Sequence, residues 1–554
     1  MQDIDRITIG TLLDRQAERF GDRDCLVYTD RPLRLTYRQF RDRVDTLARG
    51  LMALEIRRGE HVSIWASNVP EWLYFQYATA KIGAVLVTVN TAYRAHELEY
   101  LLRQSDTTSL FLIRSFKGVD YIRTLRDVLP DLDTTHVGHA HYESLPRLRR
   151  LIFIGDERLP GMLKFSDLYD LAVKVSPQQL ADRSAQLMPT DVINMQYTSG
   201  TTGFPKGVML THRNIILNAY HVSGCQNFTE ADRLCFPVPL FHCFGCVMAS
   251  LGCVTRGAAM VPIEVFEPRA VLDAIAKERC TAVYGVPTMF IAELEHPEFS
   301  SFDLSSLRTG IMAGAPCPIE VMRAVTDTMG ARELTIAYGL TESSPVITQT
   351  RTNDSIERRV TTVGRALPGV EVKIADPATG MPQPPGAAGE LCSRGHGTMK
   401  GYYKNPEATA AAVDDDRWLH SGDLGTMDEQ GYVRIVGRIK DLIIRGGENV
   451  YPREVEEFLH GHPKISDVQV IGVPSKRWGE EVCAVIKIKP GETLMPEEVI
   501  AFCQDKIQRQ KVPALVMFVE AYPMTASGKV QKYKLRDMAV EQFGRHADAA
   551  VTTA

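Results

Sequence analysis

Hydrophobic and polar positions in the first third of the chain alternate between two periods. From Tyr37 to Leu54 the apolar residues recur every three or four positions, which predicts an amphipathic helix. The apolar runs His61–Ala66 and Ala84–Val89 predict buried strands, and Trp72–Ile82 between them predicts a second helix. Because strands that alternate with helices favour parallel sheets covered by helices, we expect an α/β fold.

The same alternation recurs further along the chain and then changes. Three more apolar runs predict strands at Thr281–Val286, Leu307–Ala313 and Leu334–Tyr338. From about Val363 the sequence turns to short strands and turns, and Asp376–Gly386 is its most turn-rich segment. This texture predicts a β-rich subdomain of sandwich or barrel type.

The last part of the chain has the pattern of a separate small domain. After Gly437 the periodicity predicts a helix, two strands and a second helix, which is the content of a small α+β unit. We therefore predict a large N-terminal domain at residues 1–437 and a C-terminal domain at 441–554. The connection between them, residues 438–440, is very short.

Composition narrows the function classes. The 554 residues are 44% hydrophobic and 24% charged with a net charge of -5, so no basic excess points to nucleic acid. No apolar run approaches the roughly 20 residues that a membrane-spanning helix needs. The first ten residues lack the basic and apolar regions of a signal peptide, so we expect a cytoplasmic protein.

One cysteine-rich segment could suggest a metal site. His242, Cys243, Cys246 and Cys253 lie close together, but a second ligand pair at zinc-like spacing is missing and the residues between them are apolar. Free cysteine behaves as a small hydrophobic residue, so core packing is the favoured interpretation and no metal is expected there.

The segment with the clearest chemistry is YTSGTTGFPKG, Tyr197–Gly207. It follows an apolar strand at Val192–Met195 and precedes a predicted helix at His212–Tyr220. Glycines let backbone N–H groups face one concavity, and hydroxyl groups and Lys206 add donors and positive charge, so the loop suits a phosphate chain. It is not the common P-loop, because its lysine precedes the last glycine. A flexible linker is the alternative that composition alone would favour.

This loop resembles the signature of the adenylate-forming superfamily, which comprises acyl-CoA synthetases, adenylation domains and luciferases. Five further motifs follow in the order of that family: AGAPC (Ala313–Cys317), YGLTE (Tyr338–Glu342), SGD (Ser421–Asp423), GRIKDLIIRGGENVYPREVE (Gly437–Glu456) and PMTASGKVQK (Pro523–Lys532). The resemblance spans nearly the whole chain. It is nearest to the medium-chain acyl-CoA synthetases of the acyl-CoA synthetase family member 2 type.

The resemblance implies an ATP site and its catalytic residues. The implied ATP-binding residues are Thr198, Ser199, Gly200, Thr201, Thr202, Gly203, Lys206, Gly314, Ala315, Pro316, Tyr338, Gly339, Thr341, Asp423 and Arg438. Glu342 would hold Mg²⁺, a cation that prefers carboxylate and phosphate oxygens. Lys529 would bridge the substrate carboxylate and the α-phosphate and stabilise the charge that grows there. The implied catalytic set is thus Lys529, Thr198 and Glu342.

The resemblance also implies how the acid and coenzyme A are received. His242 would gate an acyl pocket that continues past Gly245 and Ala249, where small side chains leave room for an alkyl chain. Gly446 and Gly447 would line the tunnel for coenzyme A. Lys440 would be the hinge about which a mobile C-terminal domain turns between two half-reactions.

We therefore expect an ATP-dependent ligase that forms acyl-CoA from a medium- to long-chain fatty acid through acyl-AMP. The alternative is an adenylating enzyme that loads an aryl or alicyclic acid on coenzyme A, or an acyl group on a carrier protein. The expected small-molecule partners are the carboxylic acid, ATP, Mg²⁺ and coenzyme A. Homo-oligomerisation is left open.

Overall fold

The computed structural model describes residues 3–134, 142–198, 205–315, 317, 319–446, 448–524 and 530–546. The chain divides into two compact units. The first comprises Met1–Val372 and Ser393–Leu419, and the second comprises Lys373–Cys392 and His420–Ala554. These units are defined by how the residues pack. The boundary predicted at residues 438–440 is instead the point about which the C-terminal domain would rotate, and it stays a prediction.

In chain order the strands are β1 (Asp24–Tyr28), β2 (Leu33–Thr36), β3 (His61–Trp65), β4 (Val85–Thr88), β5 (Ser109–Leu112), β6 (Ser115–Phe116), β7 (Val119–Asp120), β8 (Arg150–Phe153), β9 (Leu163–Lys164), β10 (Val192–Thr198), β11 (Lys206–Thr211), β12 (Arg233–Phe236), β13 (Ala259–Pro262), β14 (Ala282–Gly285), β15 (Thr309–Ala313), β16 (Glu333–Gly339), β17 (Val346–Gln349), β18 (Arg365–Ala366), β19 (Val370–Ala375), β20 (Gly389–Gly395), β21 (Gly401–Tyr402), β22 (Leu419–Met427), β23 (Val433–Arg438), β24 (Ile443–Arg445), β25 (Glu448–Val450), β26 (Ile465–Ser475), β27 (Gly479–Ile488) and β28 (Leu515–Phe518).

The α-helices are α1 (Ile9–Phe20), α2 (Tyr37–Ala53), α3 (Pro70–Ile82), α4 (Ala95–Gln104), α5 (Tyr121–Val128), α6 (Asp167–Leu171), α7 (Pro177–Ala185), α8 (His212–Cys225), α9 (Gly252–Arg256), α10 (Pro268–Glu278), α11 (Pro287–Leu294), α12 (Ile319–Asp327), α13 (Ile356–Thr361), α14 (Pro406–Ala412), α15 (Pro452–His460), α16 (Pro496–Cys503) and α17 (Lys532–Gln542). A π-helix spans Phe244–Leu251, and short 3₁₀ helices include Thr341–Ser343 and Ile439–Asp441.

Two large sheets form the first unit. Among the described residues one sheet has nine strands in the order β18-β17-β16-β15-β14-β12-β13-β1-β2, and the other has eight in the order β21-β11-β10-β4-β3-β5-β8-β9. The central strands of both are parallel. Helices predicted at 37–54 and 72–82 and strands predicted at 61–66 and 84–89 are confirmed to within about two residues.

The packing of α3 shows why its pattern is not amphipathic. Apart from Glu71, every residue from Pro70 to Ile82 is buried. A helix that is apolar on all sides requires cover on all sides, and here α2 and the π-helix at Phe244–Leu251 pack against it. The helix therefore lies inside the core of the first unit rather than on its surface.

The second unit contains two smaller sheets. The strands β19-β20-β22-β23, whose residues belong mainly to this unit, form a single four-stranded sheet in the described part of the chain. The β-rich texture predicted after Val363 is therefore present, but the expectation of a sandwich or barrel is not met. The rest is an α+β unit in which β24 to β28 form one sheet.

The helices that the described ranges contain are too short or too polar to cross a membrane.

A buried acid in α11 makes the stability of the fold depend on pH. Glu293 is 1% exposed, and its Oε2 atom accepts no hydrogen bond from the described residues. Burial raises the pKa of Glu293 to about 8, from 4.5 in the unfolded chain. The folded protein therefore binds more protons than the unfolded one between these pH values, and stability is lost as pH rises through this window.

We predict that Glu293→Gln, which keeps the shape and removes the charge, stabilises the protein more at pH 8 than at pH 5.5. The difference in unfolding free energy from the wild type should grow by on the order of 1 kcal/mol per pH unit. Urea unfolding of both proteins at the two pH values measures it. An equal effect of the substitution at both pH values would contradict a raised pKa.

Candidate adenylate-forming site

The phosphate-loop motif lies at the tip of a β-hairpin. β10 and β11 pair antiparallel, with Thr198 opposite Lys206. The helix predicted at His212–Tyr220 is confirmed as α8, which begins at His212, and β11, which the sequence does not predict, comes directly before it. Ser199, Gly200, Thr201, Thr202 and Gly203 lie outside the described residues. The pairing of the two flanking strands shows that both ends of the loop are held together by the eight-stranded sheet.

The two motifs predicted to hold adenine leave neighbouring strands at the same edge. β15 and β16 run parallel, so their carboxyl ends lie side by side. Gly314 and Ala315 follow β15 and are exposed, while Tyr338 and Gly339 end β16. Gly314 has φ +88°, a left-handed conformation that favours glycine. Ligands of open α/β sheets bind outside the carboxyl ends of the strands, which fits this placement. Pro316 lies outside the described residues.

Glu342 lies in a polar cluster that also holds Lys206. The 3₁₀ helix Thr341–Ser343 carries Glu342, and Tyr402 donates its hydroxyl to Glu342 Oε1 at 2.8 Å. Lys206 Nζ lies 4.9 Å from the centre of the Tyr402 ring. Burial and the Glu342 carboxylate raise the pKa of Tyr402, so the phenol stays protonated and remains a donor. The structure thus places the end of the phosphate loop beside the predicted metal-binding carboxylate.

These residues fit a magnesium ion. Glu342 is half-buried, and the hydrogen bond from Tyr402 to one of its oxygens orients the carboxylate. An oriented carboxylate beside a phosphate-binding loop supplies the hard oxygen ligands that Mg²⁺ shares between protein and nucleotide.

Two asparagines of α8 hold this cluster in place, and sequence reasoning missed them. Asn218 Nδ2 donates to the carbonyl oxygens of Ser343 and Val346, at 3.3 and 2.8 Å, and its Oδ1 accepts from the Val346 amide. One turn earlier, Asn214 Nδ2 donates to His396 O at 2.6 Å. Two asparagines four residues apart lie on one face of the helix among its apolar residues, and this is the signal that could have revealed them.

The hairpin also contacts the segment of the predicted acyl gate. Gln196 of β10 accepts from the Cys243 thiol at 3.0 Å and donates to Cys246 Sγ at 3.0 Å. Burial raises the pKa of Cys246 to about 12, so its thiol stays protonated. Both thiols are thus packed in the core. His242 itself is half-buried and lies two residues before the π-helix, a distortion of a kind that is frequent at functional sites.

The small residues after His242 are accounted for by close packing. A Cβ on Gly245 would lie 2.3 Å from Pro239 O, so glycine allows two backbone segments to meet. Ala249 is fully buried, and Ser250 Oγ lies 3.0 Å from both Gln76 Oε1 and Tyr77 Oη. The acyl pocket beyond His242 therefore stays a prediction, with Gly245 acting through backbone approach rather than through open space.

In the second unit, the predicted ribose-binding residues lie together. Asp423 and Arg438 are paired across β22 and β23, and Arg438 Nε donates to Asp423 Oδ1 at 3.0 Å. The Asp423 amide donates to Ser421 Oγ at 3.0 Å, and the Gly422 amide donates to Glu390 Oε1 at 2.9 Å. The SGD turn is thus anchored by side chains on both sides.

The remaining predicted residues belong to the second unit and are not brought to one place by the described structure. Lys440 is exposed within the 3₁₀ helix Ile439–Asp441. Gly446 has φ +61°, and a Cβ there would lie 2.9 Å from Trp478 Cε3, so this position favours glycine. Gly447 and Lys529 lie outside the described residues.

Comparison with known proteins gives the family. Residues 13–403 match the AMP-binding enzyme family and residues 454–529 match the AMP-binding enzyme C-terminal domain. The chain therefore belongs to the AMP-binding enzyme family. It is an enzyme, an acid–thiol ligase of the AMP-forming type.

Similar proteins include an acyl-CoA synthetase, YngI of Bacillus subtilis (strain 168), 55% identical over 98% of this chain and 99% of that protein. The mitochondrial medium-chain acyl-CoA ligase ACSF2 of Danio rerio is 43% identical over 97% of this chain and 89% of its own. Among solved structures, ATP-bound MatB from Rhodopseudomonas palustris is 29% identical with a TM-score of 0.83, over 96% of this chain and 99% of its own.

We predict that Tyr402→Phe raises the Mg²⁺ concentration for half-maximal activity and lowers the rate of acid-dependent pyrophosphate release by about 10-fold. A hydrogen bond to a charged group contributes about 1.5–3 kcal/mol, and without it the Glu342 carboxylate loses its orientation. A Mg²⁺ titration of pyrophosphate release measures both effects.

Tyr403→Phe is the matched control, because the Tyr403 hydroxyl donates to Asp106 Oδ2 at 2.8 Å instead. It removes the same group from the next residue along the chain. Equal losses in the two variants would contradict a specific role for the contact between Tyr402 and Glu342.

Proposed function

We propose that this enzyme activates a medium- to long-chain fatty acid with ATP and transfers the acyl group to coenzyme A. The observation that carries the proposal is the cluster of Lys206, Tyr402 and Glu342 beside the carboxyl ends of β15 and β16. It combines a phosphate-loop lysine, an oriented carboxylate and exposed backbone for a purine. A cytoplasmic location stays a prediction.

In the first half-reaction a carboxylate oxygen of the acid attacks the α-phosphorus of ATP, and pyrophosphate leaves. The carboxylate is already a nucleophile, so the enzyme needs positioning and charge stabilisation rather than a general base. Lys206 binds phosphate oxygens where the loop joins β11, and Glu342 would hold Mg²⁺. The ion would neutralise the charge that develops on the pyrophosphate. Thr198 and Lys529 complete the set with a hydroxyl and a second positive charge.

In this proposal two groups of residues orient the nucleotide, one at its adenine and one at its ribose. Tyr338, Gly339 and the turn at Gly314 contact adenine, and Asp423 accepts hydrogen bonds from the ribose hydroxyls. Arg438 Nε donates to Asp423 Oδ1 at 3.0 Å, and this ion pair holds the carboxylate in one direction.

In the second half-reaction the thiol of coenzyme A attacks the acyl carbonyl and AMP leaves. We assign the change from adenylation to thioester formation to a rotation about Lys440. This rotation would bring the segment at Gly446 and Gly447 to the acyl-adenylate. The support is the position of Lys440 in a short 3₁₀ helix, where few residues are available to absorb a large change in φ and ψ.

The relatives are named as an acyl-CoA synthetase and a medium-chain acyl-CoA ligase, and the apolar residues of the π-helix that follows His242 favour an alkyl chain. We predict that octanoate and decanoate turn over far faster than acetate, since each buried CH₂ contributes about 0.8 kcal/mol. A pyrophosphate-release assay over acids of graded chain length, with and without coenzyme A, measures it. Equal kcat/KM values for acetate and octanoate would exclude an alkyl pocket.

We predict that Lys440→Pro separates the two half-reactions. Proline fixes φ near -65° and restricts the residue before it, which removes the rotation while leaving the adenylating arrangement accessible. Acyl-AMP formation in a single turnover should persist, and conversion of supplied acyl-AMP to acyl-CoA should fall by on the order of 100-fold.

Lys440→Ala removes the same charge but leaves φ free, so it should affect both steps only mildly. Melting temperatures of the two variants report on folding. If Lys440→Pro slowed both half-reactions equally and slightly, with an unchanged melting temperature, the rotation would not pass through this residue.

A further inference from the structure

A cluster of three potential metal ligands lies on the four-stranded sheet of the second unit. Glu390 and Cys392 are two residues apart on β20, so their side chains lie on the same face of the sheet. His420 lies on the neighbouring β22. One carboxylate oxygen, the sulfur and one ring nitrogen all lie within 4.8 Å of one another. We propose that Glu390, Cys392 and His420 form a binding site for a thiophilic divalent cation, Zn²⁺ in particular.

The distances fit tetrahedral coordination with small adjustment. Bond lengths of about 2.3 Å to sulfur and 2.0–2.1 Å to nitrogen place those two ligand atoms about 3.5 Å apart around zinc. Cys392 Sγ and His420 Nδ1 are 3.5 Å apart, and His420 Nδ1 and Glu390 Oε2 are 2.8 Å apart. The second pair must open by about half an ångström. The ion then takes the place of the proton between nitrogen and oxygen, and the Cys392 thiol releases its proton to solvent and binds as thiolate.

The carboxylate already has the support that metal ligands need. Glu390 Oε1 accepts from the Gly422 amide at 2.9 Å, which leaves Oε2 for the ion and fixes its direction. Hydrogen bonds of this kind orient ligating carboxylates and typically change metal affinity by about 10–100-fold. The His420 side chain is 31% exposed, so an ion and a water in the fourth position can enter from that side.

The type of ligand selects the type of ion. A set with one thiolate, one imidazole and one carboxylate favours Zn²⁺ and related ions, whereas Mg²⁺ prefers oxygen ligands alone. The ion pair between His420 and Glu390 would by itself explain those two residues, so the decisive ligand is Cys392. This site is therefore distinct in chemistry from the magnesium site assigned to Glu342.

Cobalt absorption tests the proposal on the full-length enzyme. Co²⁺ replaces Zn²⁺ in such sites, and its bond to thiolate gives an intense charge-transfer band in the near ultraviolet. We expect the wild type to develop this band with one equivalent of Co²⁺, and Zn²⁺ to abolish it. Cys392→Ser should remove the band.

Cys317→Ser is the matched control and should keep the band. Cys317 is the partly exposed cysteine of the chain, whereas the other ten are buried, so it is the first alternative source of a thiolate ligand. Circular dichroism shows whether each variant folds. Cys392 is buried, so Cys392→Ser could fail to fold. His420 is partly exposed, and His420→Asn is the second variant for that case.

Zn²⁺ affinity, measured by competition with a chromophoric chelator, should fall at least 10-fold in His420→Asn and in Glu390→Gln. A wild type that gives no thiolate band, a band that persists in Cys392→Ser, or Zn²⁺ affinity unchanged in both other variants would each overturn the proposal.

Discussion

The site in the first unit depends on one hydrogen bond between its two sheets. Tyr402 belongs to the eight-stranded sheet, and Glu342 follows β16 of the nine-stranded sheet, so their contact at 2.8 Å joins the two. A backbone bond from Met399 N to Glu342 O, at 2.9 Å, repeats the connection. Because β21 pairs with β11, the phosphate-loop lysine is carried to the same place. Phosphate binding and metal binding are thereby fixed to one another by sheet register.

Buried polar groups enforce this arrangement at little net cost in stability. Each of the bonds that Asn218 makes contributes only about 0.5–1.5 kcal/mol, but an unpaired buried amide costs about 1–3 kcal/mol. The turn at Thr341–Ser343 can therefore occupy few positions relative to α8. Gly339 adds a steric limit, since a Cβ there would lie 1.9 Å from Pro345 O. Steric limits in the core therefore position the site as much as its hydrogen bonds do.

Local patterns were enough to predict the strands β3, β4, β14, β15 and β16 and the helices α2, α3 and α8. They did not predict that Tyr402 meets Glu342, since 60 residues separate them and only sheet pairing brings them together. β11 is not predicted from the sequence, because its first two residues belong to the loop motif and the four that follow, 208–211, are too few to show a period. The sequence likewise gives no sign that Gly245 packs against the backbone of Pro239. Tertiary contacts of this kind leave no periodic signal in the sequence.

The central claim is that the acid is activated by attack of its own carboxylate oxygen on ATP. Octanoate labelled with ¹⁸O in both carboxyl oxygens, supplied with ATP and coenzyme A, tests it in one mass-spectrometric measurement. The account predicts one ¹⁸O atom in AMP, one in the thioester carbonyl and none in pyrophosphate. Unlabelled AMP, or label in a phosphate or pyrophosphate product, would contradict activation through acyl-AMP.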